Sequence, residues 1–200
     1  MCEQTGGFDM NLLKAPSLLG LEPNYTVTFV ENHDTLQPSG TNTPVKNQGV
    51  YRQKELAYAY IMHGKGYPLV FYRDYFLAPY YDVANNTHFG AALRPQIDRL
   101  MLIRKKTVAG DVQYLSTNAD VFVQQRDGGG TKPGSILIIN DNGSSTLNIS
   151  VQTMYTTNTV LTDLVATNSP HSVTTDVSGV VTLTCPNRDY RIYAVTNALD

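Results

Sequence analysis

The pattern of apolar residues changes character near residue 110, and that break constrains the fold more than any single motif. Before it, strand and helix signals alternate. Residues 26–30 form a β-branched and aromatic run suited to a buried strand. From Gln53 to about His63, Leu56, Ala57, Tyr60 and Ile61 fall at i, i+1, i+4 and i+5, which predicts a helix ended by Gly64 and Gly66. Pro68–Tyr72 reads as a second short apolar strand, and Pro95 opens a second helix, spaced by Ile97, Leu100, Met101 and Arg104, that stops at Gly110. Alternating strands and helices with almost wholly apolar strands are the pattern of a parallel β/α fold. From Asp111 onward the runs are short, β-branched or alternating: 120–126, 135–140, 146–151, 160–165, 180–184 and 190–195. Asp-Gly, Asn-Gly and Ser-Gly turns separate them, predicting an antiparallel Greek-key β-sandwich of roughly 90 residues whose core can form alone.

The first part cannot stand so comfortably. Two parallel strands leave apolar edges unpaired, and a closed (β/α) barrel needs eight strands and ~250 residues. The expected fold class is α/β plus all-β: residues 1–110 as the C-terminal part of an incomplete (β/α)8 barrel, and 111–200 as the sandwich.

Net charge is −2, which gives no pull towards nucleic acid or an anionic membrane. The one basic cluster, Arg104-Lys105-Lys106, falls where the last turn of a helix belongs and complements its dipole. No apolar run reaches the ~20 residues of a membrane span. Cys2 and Cys185 lie far apart, without zinc spacing. Triplets beginning at Asn24, Asn85, Asn142 and Asn148 have the N-glycosylation pattern, and the first residues, Met1 to Gly7, do not read as a signal peptide.

The candidate site is the end of the first strand, Glu31-Asn32-His33-Asp34, polar and titratable groups that are costly to bury without partners. A barrel builds its active site from such strand ends. Phe29-Val30-Glu31-Asn32-His33-Asp34-Thr35 resembles the seventh-strand motif of glycoside hydrolase family 13, the α-amylases. Glu55–Ile61, Gly66–Tyr75 and Ile97–Lys106 resemble that family's seventh helix, eighth strand and eighth helix. Gly6–Met10 and Leu137–Gly143 resemble the liquefying bacterial-type and fungal members.

The resemblance implies hydrolysis of internal α-1,4-glucosidic bonds of starch or glycogen with retention, acting on an α-glucan outside the cell. Asp34 becomes the transition-state stabiliser that holds the 2- and 3-hydroxyls, and His33 a donor to the same sugar. Retaining enzymes also need a nucleophile and an acid/base carboxylate ~5–5.5 Å apart. The family takes these from strands four and five, whereas the match here begins after strand six. Glu31 and Asp34, three apart on an extended segment, point to opposite faces and cannot substitute. The 200 residues alone are therefore expected to be inactive, with the N-terminal barrel portion of a parent chain as the missing partner. The alternative is a non-catalytic carbohydrate-binding or structural module, or a truncated gene product.

The resemblance also implies a calcium ion, held by the carbonyls of Gly6, Phe8 and Ala119 and by Asp120 and Asp141, a hard-oxygen set. Asp141 also suits a hairpin turn with Asn142 and Gly143. Tyr72, Tyr75, Tyr80 and Tyr81 suit either stacking on glucose rings or filling a core with the hydroxyl wet, the latter favoured. Two departures from the family pattern are Leu36, inserted after His-Asp-Thr, and Arg73, where glycine is usual.

Overall fold

A computed structural model describes residues 8–32, 50, 53–76, 80–81, 87–88 and 92–200. After 3-10 turns at Met10–Lys14 and Pro23–Tyr25, which flank α1 (Leu18–Leu21), the chain runs β1 (Val27–Phe29), α2 (Lys54–His63), β2 (Tyr67–Leu69), α3 (Tyr72–Tyr75), β3 (Tyr80–Tyr81), β4 (Thr87–His88) and α4 (Arg94–Thr107). Eight strands follow: β5 (Val112–Thr117), β6 (Val121–Arg126), β7 (Ser135–Asn140), β8 (Leu147–Gln152), β9 (Val160–Asp163), β10 (Ser172–Thr174), β11 (Val180–Cys185) and β12 (Asp189–Val195).

β1 and β2 pair in parallel, Val27 opposite Tyr67 and Phe29 opposite Leu69, with α2 as the crossover that a parallel pair requires. β2 is shorter than the apolar run around it. Phe71 leaves the strand to cap α3, where the Asp74 and Tyr75 amides both donate to its carbonyl.

The last eight strands form an antiparallel six-stranded sheet of order β10-β9-β12-β7-β6-β5 and a separate pair β11-β8. All positions of β6 and β7 are buried. Successive strand residues point to opposite faces, so these two strands feed two cores. Val121, Val123, Ile136 and Ile138 pack with Val181, Leu183 and Val151 of the β8–β11 pair. Phe122, Leu137 and Ile139 pack instead with Leu56, Ala59 and Met62 of α2 and with Ile97, Leu100 and Ile103 of α4. The six-stranded sheet is thus covered on one face by strands and on the other by helices. The sheet pair supplies only half of its cover.

Seven of the ten residues of α2 are buried: Leu56, Ala57, Tyr58, Ala59, Ile61, Met62 and His63. Its C-terminal carbonyls, left without intrahelical partners, carry a partial negative charge. Two guanidinium groups meet them. Arg104 Nη1 donates to the carbonyls of Met62 (2.6 Å) and Gly64 (3.0 Å), and Nη2 to Gly66 (2.8 Å). Arg126 Nη1 donates to His63 (3.1 Å) and Gly64 (2.7 Å), and Nη2 to Gly110 (2.9 Å). Arg104 does lie in the last turn of α4, but its charge serves the end of α2. Beneath the clamp His63 is buried, with Nε2 3.0 Å from Ser135 Oγ and Nδ1 2.8 Å from Gln124 Nε2. Thr107 Oγ1 completes the network by donating to Ser135 Oγ at 3.0 Å.

Two consequences can be measured. Leu137→Ala, facing the helices, and Ile138→Ala, facing the strands, should each cost about 2–5 kcal/mol in urea unfolding. A Leu137 substitution as mild as one on a solvated sheet face would contradict the helix-covered face. Burial, then the charges of Arg126 and Arg104, push the His63 imidazole down to about 3, against about 6.5 in an unfolded chain. The unfolded state therefore binds the extra proton first. His63 contributes stability that is complete above about pH 6.5 and is lost as pH falls towards about 3. His63→Gln should flatten that part of a plot of unfolding free energy against pH.

Candidate functional site

The C-terminal ends of β1 and β2 are joined by a buried charged cluster. Glu31, two residues beyond β1, is fully buried. Lys54, the first residue of α2, donates to Glu31 Oε2 and, at 2.5 Å, to Asp74 Oδ1 in α3. Tyr58, one turn along α2, donates to Asp74 Oδ2 at 2.7 Å and accepts from the Phe71 amide at 3.2 Å. One ammonium thus ties the ends of both parallel strands.

Two carboxylates share that ammonium, and among the described residues Glu31 Oε1 has no hydrogen-bond partner. Burial raises the Glu31 pKa, and the bond from Lys54 only partly offsets it. Burial pulls the Lys54 pKa down, but the hydrogen bonds to Asp74 and Glu31 outweigh it and the net shift is upward. Desolvation and the neighbouring Asp74 carboxylate raise the Tyr58 hydroxyl far above its usual range. Burial thus favours the protonated form of Glu31, while the two acids favour the charged form of Lys54. The cluster ties the two strand ends to the start of α2.

Beside the strand ends, Tyr72 and Phe76 lie exposed with ring centroids 5.0 Å apart. Tyr75 is less available. Its hydroxyl donates to Asp98 at 2.7 Å, and the Arg94 guanidinium sits 5.5 Å from its ring centroid. Arg73 is half-buried beside Asp74.

A second cluster forms where the N-terminal segment meets the sheet. Val121 of β6 lies opposite Asn140 of β7, so Asp120 and Asp141 are the next facing pair, and the Asp141 amide donates to the Asp120 carbonyl at 2.8 Å. The side chain of Asn118 shapes the approach by accepting from the Asp120 and Val121 amides at 2.8 Å each, an Asx turn. The Met10 amide donates to the Ala119 carbonyl at 3.0 Å, and the Phe8 amide to Asp141 Oδ2 at 2.6 Å. Asp120 Oδ2 accepts from Asn142 Nδ2 at 3.0 Å.

Phe8, Ala119, Asp120 and Asp141 are therefore brought together from three segments, while Gly6, His33 and Asp34 lie outside the described residues, as do the side chains of Tyr80 and Tyr81. No group of three or more His, Cys, Asp or Glu side chains able to hold a metal occurs among the described residues. A cation at the Asp120–Asp141 cluster must draw on backbone carbonyls as well as both aspartates. Mixed carboxylate and carbonyl oxygen is the chemistry that Ca²⁺ takes, so the donor set fits that ion.

No family model matches the chain. Individual proteins do. Over 131 residues it is 34% identical to the α-amylase of Geobacillus stearothermophilus, covering 65% of this chain and 22% of that one. Over 198 residues it is 26% identical to the cytoplasmic α-amylase of Escherichia coli, covering 96% of this chain and 38% of the other. The structure of an α-amylase from Malbranchea cinnamomea superposes with a TM-score of 0.63 over 88% of this chain and 38% of that chain, at 16% identity. The chain matches a C-terminal portion of the α-amylases, glycoside hydrolase family 13.

It spans between 22% and 38% of the length of these amylases. Lys54 and Tyr58 are the residues of the charged cluster that patterning misses. A lysine in the first turn of a helix reads as solvated, and Tyr58 reads as core. Their signal lies in the acidic residues that follow each strand, which need a cation to be buried.

Proposed function

We propose that this chain is the part of an α-amylase that closes a (β/α)8 barrel and holds the sugar being cleaved, within a protein that hydrolyses internal α-1,4 bonds of starch or glycogen with retention. In that reading residues 1–110 are strands seven and eight with their helices, and 111–200 are the C-terminal sandwich. Asp34 holds the 2- and 3-hydroxyls, through bonds that strengthen as the sugar becomes oxocarbenium-like, and His33 donates to the same ring. The nucleophile and the acid/base carboxylate come from the preceding barrel portion.

One observation carries the proposal: β1 and β2 are parallel, and they present a bare apolar face. Val27 (54% exposed), Phe29 (46%), Tyr67 (62%) and Leu69 (45%) lie on one side of a two-stranded parallel sheet. Parallel strands are ordinarily covered on both faces. Further parallel strands would bury these residues and place the ends of β1 and β2 beside their own.

The same reading has the Asp120–Asp141 cluster bind Ca²⁺ through both carboxylates and the carbonyls of Phe8, Ala119 and Gly6. The ion would supply a charge clamp between the N-terminal segment and the sheet, with no part in bond cleavage. It also makes the parent a secreted enzyme, in keeping with the glycosylation triplets. Against this, the Escherichia coli relative is called cytoplasmic. No helix among the described residues is long and apolar enough to cross a membrane.

Incubated with soluble starch, the 200-residue polypeptide should release no reducing sugar. Fused behind the first six strands of a related amylase it should regain hydrolysis, and Asp34→Asn in that fusion should lower kcat by about 100-fold or more. Turnover by the short polypeptide would refute the division of catalytic groups. Millimolar Ca²⁺ should raise the Tm and chelation reverse it, since a ligand at 100 times its Kd stabilises by about 2.7 kcal/mol. Asp120→Asn together with Asp141→Asn should abolish the response.

A further inference from the structure

We propose that the cleft at the start of the parallel pair binds a small tetrahedral oxyanion of the phosphate class. Asn24, Lys65, Tyr67, Arg104, Asp111 and Arg126 line this open space of about 440 Å³. Asn24 precedes β1 and Tyr67 opens β2, so the cleft sits at the opposite end of the pair from the cluster of Glu31, Lys54 and Asp74. Such a site does not depend on the amylase reading.

Charge around the cleft is unbalanced. Arg104 and Arg126 both donate to the Gly64 carbonyl, at 3.0 and 2.7 Å, which sets two guanidinium groups side by side. Among the described residues neither forms an ion pair with a carboxylate. Their acceptors are carbonyls at the end of α2 and at Gly110, and a helix end offers only about half a negative charge. Lys65 adds a third cation. Asp111, the one acid among the lining residues, is already paired with Lys65 at 2.9 Å. Burial, and then the adjacent Arg104, push the Arg126 pKa down, as expected for a cation short of negative charge.

Donors are in surplus as well. Nη1 of each arginine uses both of its hydrogens on carbonyls. Each Nη2 uses one, on Gly66 from Arg104 and on Gly110 from Arg126, which leaves one N–H apiece among the described residues. Arg126 is only 7% exposed, and its Nε has no partner among the described residues. Guanidinium N–H groups suit the oxygens of an oxyanion, and a lysine ammonium adds a mobile point charge. Several acceptor oxygens on one ion let the two spare N–H groups and Lys65 be met together. The ion would supply the missing negative charge where α2, α4 and β6 are tied to one another.

Titration of the full 200-residue chain with inorganic phosphate, followed by NMR amide shifts in calcium-free buffer at constant ionic strength, tests this. The amides of Gly66, Tyr67 and Gly110 should shift saturably, while those of β8 and β11 stay in place. Sulfate should compete, and chloride should not reproduce the shifts. Lys65 and Asp111 form a solvent-exposed pair, so substituting either leaves the fold and the arginine clamp intact. Lys65→Gln should weaken phosphate binding by about fivefold or more. Asp111→Asn removes the competing acid and should tighten binding by about threefold. Absence of a saturable shift at the three amides overturns the proposal, and so does an equal response to chloride. Unchanged affinity in both variants also overturns it, since the ion would then be held somewhere other than this cleft.

Discussion

Everything in this chain leans on two strands that have no solvent side. β6 and β7 bury every residue, and a sheet that does so needs cover on both faces. The β8–β11 pair covers one face and α2 with α4 the other. Deleting a buried branched side chain costs several kcal/mol in general, so neither cover is dispensable. The polar groups beneath the helices follow from the same constraint. Gln124 and Ser135 lie on strands with no exposed position, and they are satisfied by His63 and Thr107 from the two helices. The return from α4 into the sheet is equally tight. Gly110 has φ +73°, and a Cβ there would stand 2.2 Å from the Gly128 carbonyl oxygen. Only glycine fits that crossing.

Much of this architecture was legible in the sequence. β7 begins and ends where its apolar run does, and α2 and α4 start within a residue of expectation. The failures have physical causes. β5 and β10 are edge strands, and Gln113, Ser116 and Thr117 give β5 no apolar alternation to read. The run at 68–72 promised a longer strand, because local preference cannot show that Tyr58 holds the Phe71 amide and turns the chain into α3. The helix-covered face of the sheet was hidden for a different reason. Gln124 and Arg126 look like solvated strand positions, yet they are buried against His63 of α2, 61 and 63 residues away in sequence. Patterning reports how a residue differs from its neighbours, and it carries no information on distant partners.

The candidate sites divide along the same line. Asp120 and Asp141 appear as turn residues from spacing alone, and they acquire a common purpose only through family resemblance or through the β6–β7 register. Glu31 and Asp74 appear as polar interruptions after two strands, and Lys54 as a surface lysine. Together they form a cluster in which one cation serves two acids. Such a cluster adds little net stability, because desolvation cancels most of the Coulomb attraction. What it adds is definition: among the described residues Glu31 has one hydrogen-bond partner, Lys54, which fixes where the strand end sits.

The cover provided by α2 has a bearing on how the chain is made. A ribosome delivers α2 long before β7, and β12 later still, yet Leu56, Ala59 and Met62 are buried against residues of those strands. Until the sheet emerges, the face of α2 formed by Leu56, Ala59 and Met62 has no sheet to rest against. The last of the described strands, β12, lies in the middle of the sheet, between β7 and β9. Completion of the cover over α2 therefore waits for strands made well after it, and until then the nascent protein carries that apolar surface uncovered.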